Sequence, residues 1–213
     1  MLTLFDYLPS QNAWKVRQLL HHLQRPYQTE LISIFEGEGK TDRYRRINPT
    51  GAVPAIRLDD GRVLAESNAI LGYLAEGTPY MPVDAFERAK VQQWLSFEQQ
   101  YVEMTIGSLR HWTLTGKLPR RSAEAIEGRR SSAIKALQIL DAELGTRAFI
   151  AGERYSIADI SIFAYASRAD EAGLSLQPFP NFVLWIERVK QQPGFLNEVH
   201  LYSIDPHSTK ELG

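Results

Sequence analysis

The sequence predicts a small α/β domain followed by an all-α domain. Over the first 76 residues, apolar side chains alternate between the two-residue period of strands and the 3.6-residue period of helices. Beyond that point only the helical period remains, and a segment rich in Gly and Pro separates the two patterns. With 213 residues, the chain is long enough for one large or two small domains. We therefore place the α/β domain at 1–77, a linker at 78–85 and the all-α domain at 86–213.

The elements of the first domain are expected in the order βαβαββα. The first helix opens at Ser10, directly after the first strand, and Pro26 forbids its continuation. Asp59, Asp60 and Gly61 form a hairpin signal between two short apolar runs. The remaining elements are strands at 2–7, 27–35, 52–58 and 62–65 and helices at 41–47 and 66–76, with a flexible polar loop at 36–40.

The second domain is expected to contain helices only. Gly77, Pro79 and Pro82 break the preceding pattern, and helix-forming residues follow them. The predicted helices cover about 86–106, 123–144, 156–172 and 181–192.

Composition excludes several classes of function. The formal net charge is −1, so no basic field indicates a nucleic-acid or anionic-membrane partner. The chain has no cysteine, which excludes disulfides, thiolate metal sites and a nucleophilic protein thiol. No apolar run is long enough to span a membrane and the start does not resemble a signal peptide, so we expect a cytoplasmic protein. No metal site is expected, because no paired ligand spacing links the five histidines, His21, His22, His111, His200 and His207.

One turn, at Val53 and Pro54, leaves two interpretations open. Proline at the start of a strand requires that its missing N–H face no ladder partner. A cis peptide bond would meet that condition and turn the backbone N–H and C=O of Val53 outward, where they can pair with an extended peptide. An ordinary trans proline at a sheet edge would also satisfy the sequence.

Two serines precede predicted helices and also allow two interpretations. Ser10 opens the first helix, and Ser67 opens the helix after the hairpin. Either hydroxyl can cap its own helix. Alternatively, the hydroxyl can face a ligand beside the exposed N–H groups and the positive dipole of the helix N-terminus.

These motifs together resemble those of cytosolic glutathione S-transferases. The resemblance rests on the strand–Ser10–helix opening, on the run from Asn48 to Ile56, on the run from Glu66 to Ile70, and on Ser156 to Asp159. It covers essentially the whole chain. It implies a thioredoxin-like N-terminal domain with a cis-proline, an all-helical C-terminal domain and a homodimer.

The resemblance implies roles for residues near the first helix. In serine-type members, a hydroxyl donates a hydrogen bond to the glutathione sulfur, which corresponds to Ser10. Asn12 occupies the position of the nucleophile in cysteine-type members, and its amide is a second candidate donor. Tyr7 is a rival because tyrosine-type members place their donor near the end of the first strand, but its alternation with Phe5 favours a core position.

The resemblance also assigns the rest of glutathione. The backbone of Val53, held by Pro54, pairs with the cysteinyl main chain, while Glu66 and Ser67 hold the γ-glutamyl end. Lys40 meets the glycyl carboxylate or is a solvated loop charge. Other cations that could replace it are Arg43, Arg45 and Arg46.

Further candidates lie in the second domain. The second substrate is expected between the domains, with Met104, Leu109, Arg110, His111 and Trp112 as candidate wall residues. Ser156 and Asp159 form a capping box, for which we expect a structural role.

Three functions follow from the resemblance. The first is conjugation of the glutathione thiolate to a hydrophobic electrophile, with glutathione as co-substrate and no further cofactor. The second is glutathione-dependent disulfide reduction without a protein cysteine, as in a bacterial subgroup with a Thr/Ser-x-Asn opening that uses two glutathiones. The third is a glutathione-binding or interaction module without catalysis.

Overall fold

The computed structural model of the protein describes residues 1–202. These residues divide into two compact units, one formed by Met1–Glu76 with 193–202 and the other by Gly77–Gln192. His207 and the end of the predicted second domain lie outside the described residues.

The first unit contains a four-stranded sheet in the order β2-β1-β3-β4. Strand β1 pairs in parallel with β2 and antiparallel with β3, which is itself antiparallel to β4. Leu4 and Ile56 face each other in the register of the central pair, and both are fully buried. The strands are β1 (Leu2–Asp6), β2 (Tyr27–Leu31), β3 (Ala55–Arg57) and β4 (Val63–Ala65).

Three helices complete the predicted βαβαββα order. They are α1 (Gln11–His22), α2 (Asp42–Arg45) and α3 (Ser67–Ala75). Helices α1 and α3 pack against each other. Because β1 and β3 are antiparallel, as are β3 and β4, the end of β1, the start of β3 and the end of β4 lie at one edge of the sheet. The loops that carry the predicted site residues therefore leave the sheet on the same side.

The predicted second strand and the loop after it differ from expectation. The strand ends at Leu31 rather than at residue 35, because the chain turns at Ser33. The Ser33 N–H donates to the Glu38 carboxylate over 2.9 Å. Two short 3₁₀ turns, Ile34–Glu36 and Glu38–Lys40, occupy the segment expected to be a flexible loop. A side chain therefore organises a segment whose composition suggests only mobility.

The second unit is helical within its described residues. Its helices are α4 (Ala85–Phe97), α5 (Ser108–Leu114), α6 (Ala123–Leu144), α7 (Ile157–Ala166) and α8 (Pro180–Lys190). The segment Glu98–Gly107 joins α4 to α5 as a π-helix. Helix α7 is buried along almost its whole length and packs against α4 and the π-helical segment. It is therefore the core helix of this unit.

Both predicted boundaries of the second domain require correction. Residues 193–202 pack on the first unit, where the Gln18 side chain donates to the Gly194 carbonyl over 3.0 Å and accepts from the Leu196 N–H over 2.7 Å. The segment expected to be a linker belongs to the helical unit, since the Ile157 N–H donates to the Tyr80 carbonyl over 3.1 Å. Hydrogen bonds between residues far apart in the sequence therefore determine both domain boundaries. Local Gly and Pro residues do not reveal such bonds.

In the part of the chain that the structure describes, no helix combines the length and apolarity needed to cross a bilayer.

Candidate active site

Ser10 caps α1 and leaves its hydroxyl proton available. It has extended backbone angles, and its Oγ accepts the Ala13 N–H over 3.2 Å. A serine hydroxyl has one donor and two acceptor positions, so capping uses an acceptor and not the proton. Accepting a hydrogen bond also polarises the O–H group and makes it a better donor. Because Ser10 is only partly buried, both interpretations left open by its sequence are compatible.

Asn12 is connected to the start of α3. Ser67 Oγ donates to Asn12 Oδ1 over 3.3 Å, which joins the first turns of the two packed helices. Ser67 is 5% exposed and Asn12 is partly buried. This contact brings two predicted site residues, 55 positions apart in the chain, into one cluster.

Glu66 occupies an unusual backbone conformation beside this cluster. Its φ is +68°, a region that side chains other than those of Gly, Asn and Asp rarely adopt. Its exposed side chain makes no capping bond to α3. Such strain costs about 1–3 kcal/mol and concentrates at ligand-binding positions, where the surrounding structure maintains it. Glu66 is the N-cap residue of α3, and its side chain is left available to a ligand.

The Val53–Pro54 peptide bond is cis, as the resemblance implies. Among the described residues, no protein group pairs with the backbone N–H or C=O of Val53. The preceding loop is held by the buried Asn48, whose Nδ2 donates to the Ala52 carbonyl over 2.7 Å and whose Oδ1 accepts the Thr50 N–H over 3.1 Å. Asn48 therefore holds the loop, and the backbone N–H and C=O of Val53, a residue only 8% exposed, are left without a partner in it.

Gly39 is a site-building residue that the sequence analysis treated as loop composition. A Cβ at Gly39 would lie 2.2 Å from the Gly51 carbonyl oxygen, and a Cβ at Gly51 would lie 2.5 Å from the Gly39 carbonyl oxygen. The loop carrying Lys40 thus packs backbone to backbone against the loop carrying Val53. The sequence shows two glycines twelve positions apart, each within a turn-forming run. It does not show that they are in contact, because this contact depends on the tertiary fold.

The cations predicted near Lys40 have different surroundings. Arg43 donates to Glu30 over 2.5 Å and to Glu38 over 2.6 Å, so it already has two carboxylate partners. The side chain of Lys40 is exposed. Arg43 is therefore a poor substitute for Lys40 as a carboxylate ligand, whereas Arg45 and Arg46 are exposed and remain alternatives.

Tyr7 lies in the core of the first unit. It is 2% exposed and packs edge to face on Phe35, with ring centroids 5.1 Å apart, while Tyr202 lies on the same cluster. The predicted core position is confirmed. Tyr7 is thus a less accessible donor than Ser10.

A buried ion pair supports the turn between β1 and α1. Arg17 donates to both carboxylate oxygens of Asp6 over 2.7 Å, to the Leu8 carbonyl over 3.0 Å and to Glu198 over 2.5 Å. Burial raises the pKa of Asp6, while Arg17 acts in the opposite direction. No sequence pattern predicts this network, because an Asp and an Arg eleven positions apart form no motif.

The five second-substrate candidates have different environments within the helical unit. Met104 is exposed, and His111 and Trp112 are partly buried. Arg110 is 3% exposed and its Nε donates to Glu171 over 2.6 Å. This burial corrects the expectation that Arg110 lines a substrate pocket, because its guanidinium pairs inside the unit. Leu109 is 1% exposed and belongs to the core.

The capping box at the start of α7 is present and has the predicted structural character. Asp159 is fully buried and accepts hydrogen bonds over 2.9 Å from the Ser156 N–H, the Ile150 N–H and Trp185 Nε1. Burial raises the pKa of Asp159 to about 6, and the hydrogen bonds only partly oppose this rise.

A separate cavity of about 690 Å³ lies in the helical unit. It is lined by residues between 78 and 91 and between 147 and 156. None of the predicted site residues lines it, so its size alone does not mark the active site. Within residues 1–202, no three His, Asp or Glu side chains cluster as metal ligands.

Two sequence profiles match the chain. The profile described as "Glutathione S-transferase, N-terminal domain" matches residues 9–76, the segment that contains Ser10, Val53 and Ser67. The profile described as "Glutathione S-transferase, C-terminal domain" matches residues 123–188. The chain belongs to the glutathione S-transferase family.

Individual relatives are similar to this glutathione S-transferase over most of its length. A crystal structure of a glutathione S-transferase from Pseudomonas fluorescens Pf-5 has a TM-score of 0.89 and 34% identity, over 92% of this chain and 97% of that one. A family member from Pseudomonas fluorescens pf-5 with two glutathione bound has a TM-score of 0.78 and 26% identity, over 91% and 89%. The disulfide-bond oxidoreductase YfcG of Escherichia coli (strain K12) is 28% identical, over 88% of this chain and 90% of YfcG.

Proposed function

We propose that this glutathione transferase activates the thiol of glutathione at Ser10 and transfers the thiolate to a small electrophile. One observation carries the proposal: the Ser10 hydroxyl caps α1 through an acceptor position and retains its proton, at the same edge of the sheet as the unpaired Val53 backbone. Family membership supplies the reaction class, and the chain has no cysteine that could replace the glutathione thiol.

Activation means stabilising the sulfur anion. A free cysteine thiol has a pKa near 8.5, so only a few per cent is ionised at neutral pH. A hydrogen bond donated by Ser10 and the N-terminal dipole of α1 both favour the anion, and each unit by which the thiol pKa falls corresponds to about 1.4 kcal/mol. Asn12 is the alternative donor.

The other groups of glutathione match the chemistry of the surrounding residues. Val53 offers a backbone N–H and C=O to the cysteinyl main chain. Ser67 and the N-terminus of α3 suit the γ-glutamyl carboxylate, and Glu66 suits its ammonium group. Lys40 suits the glycyl carboxylate. These assignments place opposite charges together and leave the sulfur near the start of α1.

In the transfer step, the thiol proton passes to solvent and the thiolate sulfur attacks an electrophilic carbon. A carbon–sulfur bond forms, and the leaving group departs with the electron pair of the bond that breaks. The protein's contribution is a higher thiolate fraction and a fixed position for the sulfur.

The decisive experiment measures the pKa of bound glutathione from the ultraviolet absorbance of the thiolate. We expect Ser10→Ala to raise this pKa by about one unit and to lower kcat more than it changes KM. Asn12→Ala is the matched comparison at the same helix end. An unchanged thiolate signal in Ser10→Ala would transfer the donor role to Asn12 or Tyr7.

Binding of the glutamyl end has a separate test. Glu66→Ala and Ser67→Ala should weaken retention on immobilised glutathione, while the thiol pKa of glutathione that still binds should change little. If neither variant changes affinity, the assignment of this end of the ligand is wrong.

Glutathione-dependent disulfide reduction is the second candidate function. It is favoured by the Ser10-Gln11-Asn12 opening in a chain without cysteine and by the similarity to YfcG. In that reaction one glutathione thiolate attacks the substrate disulfide and releases a thiolate. A second glutathione then attacks the mixed disulfide, so two glutathiones are oxidised as one disulfide is reduced. Turnover of hydroxyethyl disulfide without turnover of a chloronitroaromatic substrate would favour this function, and glutathione binding without either turnover would favour a non-catalytic module.

We also propose a cytoplasmic homodimer, the assembly and location that the resemblance implies. An aromatic pair at the junction of α4 and the π-helical segment, Phe97 and Tyr101, supports an interface, since the ring centroids lie 5.1 Å apart and Tyr101 is 45% exposed. Sedimentation equilibrium should give twice the chain mass, and Tyr101→Glu should shift the equilibrium toward monomer. A monomer at all concentrations in the unmodified protein would refute the proposal.

A further inference from the structure

Two arginines stack on one tryptophan in the helical unit. The guanidinium carbon of Arg121 lies 4.8 Å from the ring centroid of Trp112, and that of Arg129 lies 5.1 Å from it. Both distances are within the range of cation–π attraction. Trp112 belongs to α5, Arg121 precedes the N-cap of α6, and Arg129 lies two turns into α6. The fold therefore places two positively charged side chains from different segments over the same Trp112 ring.

Neither guanidinium has a carboxylate partner among the described residues. Two other arginines of this unit do have one: Arg110 and Arg168 both pair with Glu171. The partly buried Arg188 also lacks one in the described part of the chain, but it lies alone over Phe149 and donates to the Ala148 carbonyl. Two cations held on one ring repel each other, and an anion between them would remove that repulsion. The missing countercharge is the feature that points to a ligand.

The arrangement holds at least one arginine in a defined position. Arg129 donates through Nη1 to the backbone carbonyl of Met104, so it is fixed both to the ring and to the π-helical segment. A guanidinium is planar and carries its N–H groups in that plane, so the groups not used elsewhere suit the two oxygens of a carboxylate or sulfonate. Met104 and Trp112 supply apolar surface beside these donors. The cluster thus combines an apolar wall with a planar anion-binding edge.

We propose that Arg121 and Arg129 on Trp112 determine the specificity of the second-substrate site, which selects aromatic electrophiles that carry a carboxylate. This inference rests on the proposed transferase function and on the assignment of Met104 and Trp112 to that site. The wall residues expected from the resemblance suggest only a hydrophobic substrate, whereas the two unpaired charges predict an anionic one.

A matched pair of substrates separates charge from reactivity. The probes are 4-chloro-3,5-dinitrobenzoate and its methyl ester. With either probe the glutathione thiolate attacks the carbon that bears chlorine, a carbon–sulfur bond forms and chloride leaves with its bonding electrons. Each kcat/KM is divided by the uncatalysed rate constant of the same probe, which removes the intrinsic difference between acid and ester. We expect the corrected value for the acid to exceed that for the ester about tenfold, mainly through KM.

Three variants locate the source of the preference. Arg121→Gln should lower the acid-to-ester ratio about tenfold, because Arg121 is exposed and has no other polar partner among the described residues. Arg129→Lys should lower it less, since it retains the charge but not the planar donor edge. Lys135→Gln removes one exposed positive charge from the same helix, α6, and is the control that should leave the ratio unchanged. Circular dichroism confirms that each variant is folded.

The outcomes distinguish this inference from the function on which it rests. The inference is wrong if the corrected kcat/KM values for acid and ester are equal. It is also wrong if Arg121→Gln and Arg129→Lys do not change the preference for the acid. Neither result would contradict the transferase function. Failure to turn over both probes, with no thiolate signal from bound glutathione, would overturn the transferase function itself. A third outcome would assign the cluster to a second glutathione instead. In that case the enzyme shows no preference for the acid, added S-alkyl glutathione inhibits the ester reaction, and Arg121→Gln relieves this inhibition.

Discussion

The N-termini of α1 and α7 use the same capping residue in different surroundings. Ser10 accepts an N–H bond over 3.2 Å at the start of α1, and Ser156 accepts one over 3.3 Å at the start of α7. Ser156 is 3% exposed, and its N–H and hydroxyl both donate to the buried Asp159. Ser10 is partly exposed and lacks such an acceptor on its own helix, because the first turn of α1 has no acidic residue.

The comparison shows that a cap motif does not by itself determine a role. Where the serine proton is used inside the protein, as at Ser156, the cap contributes stability. Where the serine is partly exposed and its proton has no acceptor among the described residues, as at Ser10, the same local geometry suits ligand activation. Four predictions separate the two cases, ordered by the size of the expected effect.

Asp159→Asn should destabilise the protein by about 4 kcal/mol. The amide group would place N–H donors opposite the donors of Ser156, so two hydrogen bonds to a buried acceptor are lost. Urea unfolding measures the change. The folded fraction should still bind glutathione normally, and a loss of less than about 1 kcal/mol would show that Asp159 does not organise the core.

The contribution of Asp159 should also depend on pH. Its folded pKa of about 6 exceeds the unfolded value of 3.8, because burial disfavours the charge. The folded state therefore retains the proton longer, and the resulting stability is fully present below about pH 4 and is lost as the pH rises through 6. The gap in unfolding free energy between the unmodified protein and Asp159→Asn should be about the predicted 4 kcal/mol at pH 7 and larger at pH 4, by on the order of 2 kcal/mol. A gap that stays constant or widens from pH 4 to pH 7 would contradict this direction.

Ser10→Ala should lower kcat about tenfold, equivalent to about 1.4 kcal/mol of transition-state stabilisation. The loss of one partly exposed cap should cost only about 0.5–1 kcal/mol of unfolding free energy. Ser10→Thr retains both the cap and the hydroxyl and is the matched control. Equal activity of Ser10→Ala and Ser10→Thr would show that Ser10 only caps α1.

Ser156→Ala should show the smallest effect, a loss of about 1 kcal/mol in unfolding free energy. The thiol pKa of bound glutathione should stay the same, since Ser156 has no part in the proposed site. If kcat falls by more than the loss of folded protein explains, Ser156 also contributes to catalysis, and the proposed difference in role between Ser10 and Ser156 is wrong.

The residues proposed to bind glutathione are easier to predict from the sequence than the residues that hold them in place. Ser10, Val53 and Ser67 lie in local motifs that the resemblance covers. Arg17 and Gly39 do not, because their partners lie elsewhere in the chain: the carboxylates of Asp6 and Glu198 for Arg17, and the backbone of Gly51 for Gly39. Sequence reasoning also placed Arg110 in a substrate wall, where a charged residue on a helix is expected to be exposed, but Glu171 allows its burial.

The sequence by itself determined the order of strands and helices, the absence of a protein thiol and the capping positions, since periodicity, composition and turn chemistry are local properties. Only the tertiary structure decided which proton each cap leaves available, where residues 193–202 pack and which arginines lack a carboxylate. These features depend on contacts between distant segments, and burial then determines whether a polar group must be satisfied inside the protein or can serve a ligand.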